Sequence, residues 1–134
     1  MISIFEFSYR YIIPSIKRRL VEKLVEIGVT RKEIAKKLDL STSAISRYLS
    51  MERGTYINIA VYNDVDNAVN KLASLIKNNI IDFNDIQIYI FKIVLYALSK
   101  KYVCKDHAKI DPKINPNLCL ICPTLFSNVK VTET

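Results

Sequence analysis

Cys104, His107, Cys119 and Cys122 fall within nineteen residues and include every cysteine and histidine of the 134-residue chain. They form two pairs, Cys104-x2-His107 and Cys119-x2-Cys122, with eleven residues between them. An x2 spacing lets both side chains of a knuckle aim at one centre, and four soft or borderline donors closing a tetrahedron suit zinc. All four residues are therefore the expected metal ligands. The expected role is structural, because a zinc ion with four protein ligands keeps no open position for a substrate. An iron–sulfur cluster is the alternative use of the same thiolates, with a redox- or metal-sensing role. A disulfide is disfavoured, since three cysteines leave one unpaired and a reducing compartment keeps thiols free.

A second set of residues has a different chemistry. Ser41, Thr42, Ser43, Ser46, Arg47 and Ser50 would share the outer face of a short helix, and hydroxyls and a guanidinium can meet phosphates and base edges. Arg47 is the candidate for a bidentate contact to guanine, the commonest specific contact in a major groove. Lys17, Arg18 and Arg31 are the candidates for phosphate contacts. The charge distribution agrees with this. The chain carries a net charge of +7, and between Arg10 and Arg53 there are eleven Lys or Arg against five Asp or Glu, leaving nine against eight elsewhere. A local basic excess favours a polyanion, because each cation placed near a phosphate releases a condensed counterion.

Helices must position both sets. Only two Gly and four Pro occur, too few turn-formers for a many-stranded sandwich or barrel, so an all-α fold is expected. Pro14 suits a helix start, and Ile16, Leu20, Leu24 and Ile27 recur at helical spacing until Gly28 stops them. Thr30 and Glu33 make a capping-box pattern ahead of a helix from about Arg31 to Leu38. Ser41 to Ser43 offer N-cap oxygens to a third helix with Ala44, Ile45, Tyr48 and Leu49 inside. Asp39 stands in the turn between them where Gly is usual, and it tolerates the left-handed conformation better than most residues. Residues 55–62 read as a connector with extended character, because Ile57, Ile59 and Val61 alternate.

Beyond it, Asn63 or Asp64 caps a helix with Val65, Val69, Leu72 and Ile76 on one stripe. Asp82 or Asn84 caps another, from about Asp85 to Tyr102. That last helix is apolar on more than one face, which predicts a second subunit against it and hence a homodimer. A strand over Ile86–Phe91 is the lesser alternative. The expected organisation is a helix-turn-helix bundle over 1–56, a helical dimerisation region over 57–102, a small metal-binding tail over 103–126 and a frayed end over 127–134.

Here the residues carry a resemblance. PSIKRRLVEKLVE followed by TRKEIAKKLDLSTSAISRYLSMERG, within residues 11 to 54, resembles the opening of a group of archaeal predicted transcriptional regulators. The resemblance implies a DNA-reading module joined to a downstream helical region and a Cys/His-rich end, and binding to DNA as a dimer. It gives Ser41, Thr42, Ser46 and Arg47 the DNA-facing role. Many members of that group carry a further Cys pair, where this chain has Phe91 and Val94.

Other function classes fare less well. The sole histidine is claimed by the metal, no Gly-rich phosphate loop occurs, and no nucleophile stands beside a base in a known motif, so no enzyme activity is expected. Asp64, Asp66, Asp82 and Asp85 could be imagined as a nuclease metal cluster, but their positions suit helix caps and first turns. Two further alternatives are the DNA-targeting part of a larger recombinase or transposase and an RNA-binding or interaction module. No apolar stretch reaches the roughly 18 to 20 residues that span a bilayer, and Ile86–Leu98 is interrupted by Gln87 and Lys92. No charged leader opens the chain. The expected setting is cytoplasmic, without a membrane partner.

Overall fold

A computed structural model describes residues 1–129; part of the tail expected over 127–134 lies outside them. The described residues are helical and contain no strand. The first helix does not begin at Pro14. Ser3 caps α1 (Ile4–Phe7) by accepting from the Glu6 amide at 3.1 Å, and the helix continues through a π turn (Ser8–Ile12) into α2 (Ile13–Glu26). The reason is local. Pro14 has no N–H to return to the carbonyl of Arg10 and its ring crowds that carbonyl. The chain widens by one residue, the Ile13 amide reaching back to the Ser8 carbonyl, and the helix passes the proline unbroken.

At the other end of α2, Gly28 takes φ +94°. The Val29 amide then bonds the Leu24 carbonyl at 3.0 Å and the Gly28 amide that of Val25 at 3.1 Å. These two bonds define a Schellman stop, which satisfies carbonyls the helix end would leave unpaired. Thr30 caps α3 (Arg31–Leu38) through the Glu33 amide. Asp39 ends it in the left-handed region at φ 51°, as its place in the turn requires. Ser41 caps α4 (Thr42–Leu49), which closes at Met51 with φ 65°, short of the expected stop at Arg53 and Gly54.

Residues 55–62 form no strand; the alternation of Ile57, Ile59 and Val61 resolves into a 3-10 turn (Ile59–Val61) that buries Ile57 and Ile59 and leaves Val61 outside. α5 (Asn63–Lys77) and α6 (Phe83–Ser99) follow. α6 opens with a reciprocal capping box between Asp82 and Asp85, and it ends three residues before Tyr102 because Lys101 turns left-handed at φ 62°. The strand alternative for Ile86–Phe91 is therefore not the structure. Two short helices complete the chain, α7 (Cys104–Ile110) and α8 (Ile121–Phe126), the latter packed on α6.

α2 is the hub. Its buried face (Ile16, Leu20, Val21, Leu24) meets α3, α4, α5 and α6, and all the expected segments from Ile4 to Cys122 contribute to one contiguous core. Ion pairs reinforce the α2–α5 contact, with Arg19 and Lys23 reaching opposite oxygens of Asp66 at 2.8 and 3.2 Å. Tyr96 and Tyr102 both donate to Asp64 Oδ2, at 2.5 and 2.6 Å, joining α6 and the segment after it to the start of α5. The N-terminal residues are tied to the end of the chain: the Ile2 amide donates to Asp111 at 2.9 Å and the Ile2 carbonyl accepts from His107 Nε2 at 2.7 Å.

Candidate nucleic-acid interface and cysteine cluster

α3, the left-handed turn at Asp39 and α4 pack as one unit on α2. Ala44, Ile45 and Tyr48 are the buried face of α4, and Ile34 and Leu38 the buried face of α3. This fixes which way the rest of α4 points. Thr42, Ser43, Ser46, Arg47 and Ser50 are all exposed, with Ser41 at the same end as the N-cap. An apolar face locked in the core and a polar face open to solvent are what a helix needs to enter a groove without losing its orientation.

The individual side chains differ in what remains free. Ser41 Oγ is committed to the cap, accepting from the Ala44 amide at 3.1 Å and lying 3.4 Å from Ser43 Oγ. Arg31 Nη1 donates to Ser46 Oγ at 3.3 Å across the exposed surface, which brings the start of α3 beside the middle of α4. Ser50 Oγ is engaged by Glu52 at 2.7 Å. Arg47 has no side-chain partner among the described residues and projects from the last turn. Lys17 stands half-buried beside the loop that follows α4.

Arg18 is a correction. It is 5% exposed, donates through Nε to the Gly54 carbonyl at 2.8 Å, and pairs with Glu22 at 2.7 Å. A guanidinium so enclosed has no reach to a phosphate, and its role is to hold the loop after α4 against α2. The same junction explains Gly54. Its φ is +74°, and a Cβ placed on it would stand 2.3 Å from the Pro14 carbonyl oxygen, so neither conformation nor space admits a side chain. Neither role was legible in the helical spacing, because they depend on contacts between residues 36 and 40 positions apart.

The four imagined nuclease acids are each otherwise engaged. Asp64 accepts from two tyrosines, Asp66 pairs with Arg19 and Lys23, and Asp82 and Asp85 cap α6.

The Cys/His segment is built differently from two knuckles. Cys104 opens α7 and His107 lies one turn on, so the first pair is helical; Cys122 lies within α8, with Cys119 just before it. Burial pushes the Cys122 thiol up to about 11, and Cys104 and Cys119 add to the rise. Burial also raises Cys104, with Lys101 opposing and Cys119 adding to it. Among the described residues, no group of three or more His, Cys, Asp or Glu side chains is gathered in metal-holding geometry.

The donor chemistry nevertheless fits a cation. The Ile2 carbonyl can only accept, so His107 Nε2 carries the proton in that bond, and in the neutral imidazole the lone pair is left on Nδ1. A histidine that donates its other ring N–H to a backbone carbonyl is the usual arrangement of a metal ligand held in one tautomer. Phe7 lies against the ring, the two centres 4.8 Å apart and the planes tilted by 31°, and keeps it in place.

Comparison with protein-family models, with characterised proteins and with solved structures gives no match for this chain.

Proposed function

We propose that this protein is a sequence-specific double-stranded DNA-binding transcriptional regulator, a helix-turn-helix protein acting as a homodimer. The observation that supports it most is the polar, exposed face of α4 on a helix whose other face is locked into the core beside α3. In this reading Arg47 reads a base edge, Thr42, Ser43, Ser46 and Ser50 contact bases or phosphates, and Ser41 presents the helix N-terminus to the backbone. Arg31 and Lys17 meet phosphates. The resemblance of residues 11 to 54 to archaeal transcriptional regulators points the same way.

The dimer is proposed on α6. Ile88 and Phe91 are 53% and 49% exposed, and Leu95 continues their stripe in partial burial. Apolar surface of this kind on a helix whose opposite face is already in the core suits a two-fold partner. A symmetric dimer would place two reading helices about 34 Å apart, one DNA turn, or a multiple of it. Among the described residues no helix is long and apolar enough to cross a bilayer.

Zinc is proposed as a structural ion that Cys104, Cys119, Cys122 and His107 would hold, adding to the packing of α8 on α6. Bound there it would cross-link α7 to the segment from Cys119 to Cys122, and four protein ligands would leave no open position for catalysis. Elemental analysis with visible absorbance tests this. One zinc per chain in colourless protein is expected, and a brown protein containing iron would replace the structural ion by a redox-sensing cluster.

DNA binding itself is tested by titrating labelled duplex at two salt concentrations. Affinity should fall steeply with salt, because the +6 excess between Arg10 and Arg53 acts through counterion release. Equal affinity for duplex DNA and single-stranded RNA, or insensitivity to salt, would overturn the reading.

A further inference from the structure

The π turn and the loop after α4 enclose an open cleft of about 620 Å³, a size that takes a small molecule. Arg10, Lys17 and Arg53 line it against a single acid, Glu52. Arg10 is paired with Glu6 at 2.9 Å, while Lys17 and Arg53 have no ion-pair partner among the described residues. Arg53 is instead held with its guanidinium carbon 5.8 Å from the centre of the Tyr48 ring.

Aromatic faces complete the lining. Tyr9 and Tyr56 are 76% and 44% exposed, more than tyrosines need for packing, and Tyr56 is backed by Tyr11 with ring centres 4.5 Å apart. Exposed aromatic faces beside unpaired cations recognise a planar ring joined to an anion, the first by stacking and the second by charge. The cleft wall is stiff where it needs to be. Gly54 sits against the Pro14 carbonyl, and Arg18 clips the Gly54 carbonyl from behind.

We propose that this cleft binds a nucleotide, its base stacked on Tyr9 and Tyr56 and its phosphate held by Lys17 and Arg53, and that occupancy weakens binding to DNA. Binding rests on the cleft alone. Its effect on DNA rests on the function proposed above, and follows because Lys17 serves both phosphates and because Tyr48, Glu52 and Arg53 join the cleft to the end of α4. A free nucleotide and a nucleotide within a single strand offer the same chemistry; the open cleft is assigned to the free one, because a single charged end suits a site with two unpaired cations.

The experiment is a calorimetric titration of the full chain with AMP, GMP, adenosine, inorganic phosphate and a single-stranded oligonucleotide. A mononucleotide should bind at least about tenfold more tightly than the nucleoside or phosphate, since each supplies only half the contacts. Tyr56→Ala should weaken it about five- to a hundredfold, the range for losing one base–aromatic stack. Arg53→Gln should weaken it about tenfold or more. Both residues are exposed, and unchanged circular dichroism will establish that the variants fold.

No binding at millimolar mononucleotide, equal binding in both variants, or tighter binding of the oligonucleotide per site would overturn the proposal. In a parallel titration of duplex DNA, saturating mononucleotide should weaken affinity about fivefold or more; unchanged affinity would overturn the coupling. Nucleotide binding without any DNA binding would leave the site standing and overturn the DNA-reading function alone.

Discussion

Arg47 and Arg18 sit on neighbouring helices and should lose different things when truncated. Arg47→Ala removes an exposed side chain with no partner among the described residues, so folding stability should be unchanged. Base preference at one position should relax instead, at about 1–3 kcal/mol. Arg18→Ala leaves the Gly54 carbonyl without its donor and Glu22 without its partner. It should cost about 1–3 kcal/mol in urea denaturation, and any loss of DNA binding should follow from a displaced loop. The two glycines separate conformation from space in the same way. Both have positive φ, but a Cβ on Gly28 meets nothing within 4 Å, whereas one on Gly54 meets the Pro14 carbonyl. Gly28→Ala should therefore cost only the backbone strain of roughly 1 kcal/mol, and Gly54→Ala clearly more, as compared by thermal denaturation.

The caps at Thr30 and Ser41, the left-handed Asp39 and the stop at Gly28 were legible in the sequence, because each is decided by residues within one turn. The polar face of α4 was legible too, since periodicity assigns its buried side. Arg18, Gly54 and the Ile2–His107 bond were not. A buried arginine looks like any other basic residue until the segment that covers it is known, and nothing near His107 announces a partner 105 residues away.

At the scale of elements, the contact between α2 and α5 carries a pH dependence. Burial alone would raise the Asp66 carboxyl, but hydrogen bonds from Arg19 and Lys23 outweigh it and hold the group below its ordinary range. A folded-state value depressed below the unfolded one contributes stability that is fully present above the unfolded value, near 4, and is lost as pH falls through the folded one. Asp64 behaves alike: burial opposes, and the hydroxyls of Tyr102 and Tyr96 prevail. The urea midpoint should hold from neutrality to about pH 5 and fall below it. Asp66→Asn should lower the midpoint at pH 7 and flatten that fall; an unchanged acid limb would assign the loss to other carboxylates. The π turn belongs to this scale as well. Periodicity alone started the helix at Pro14, yet one widened turn let it begin ten residues earlier, and the cleft it helps to form had no signature in any local pattern.

At the scale of the molecule, one core joins α3 and α4, α6 and the cysteine-bearing end. If the proposed zinc is held by Cys104, His107, Cys119 and Cys122, removing it should loosen the end of the chain first, since all four ligands lie there. Chelation, or Cys119→Ser, should expose amides beyond about residue 102 to hydrogen exchange before those of α2 to α4, since losing one of four ligands leaves a much weaker site. The homodimer is tested at the same scale by light scattering: Phe91→Lys should yield monomers, because it places a charge in the proposed apolar interface, and a wild-type monomer with and without DNA would contradict the assignment. The most direct test of the central claim is selection of duplexes from a random pool by wild-type protein and by Arg47→Ala. A recurring motif of two symmetric half-sites about 10 base pairs apart or a multiple of that, with one position per half-site losing its preference in Arg47→Ala, is the expected result. No recurring motif, or one that Arg47→Ala leaves intact, would contradict DNA reading by α4.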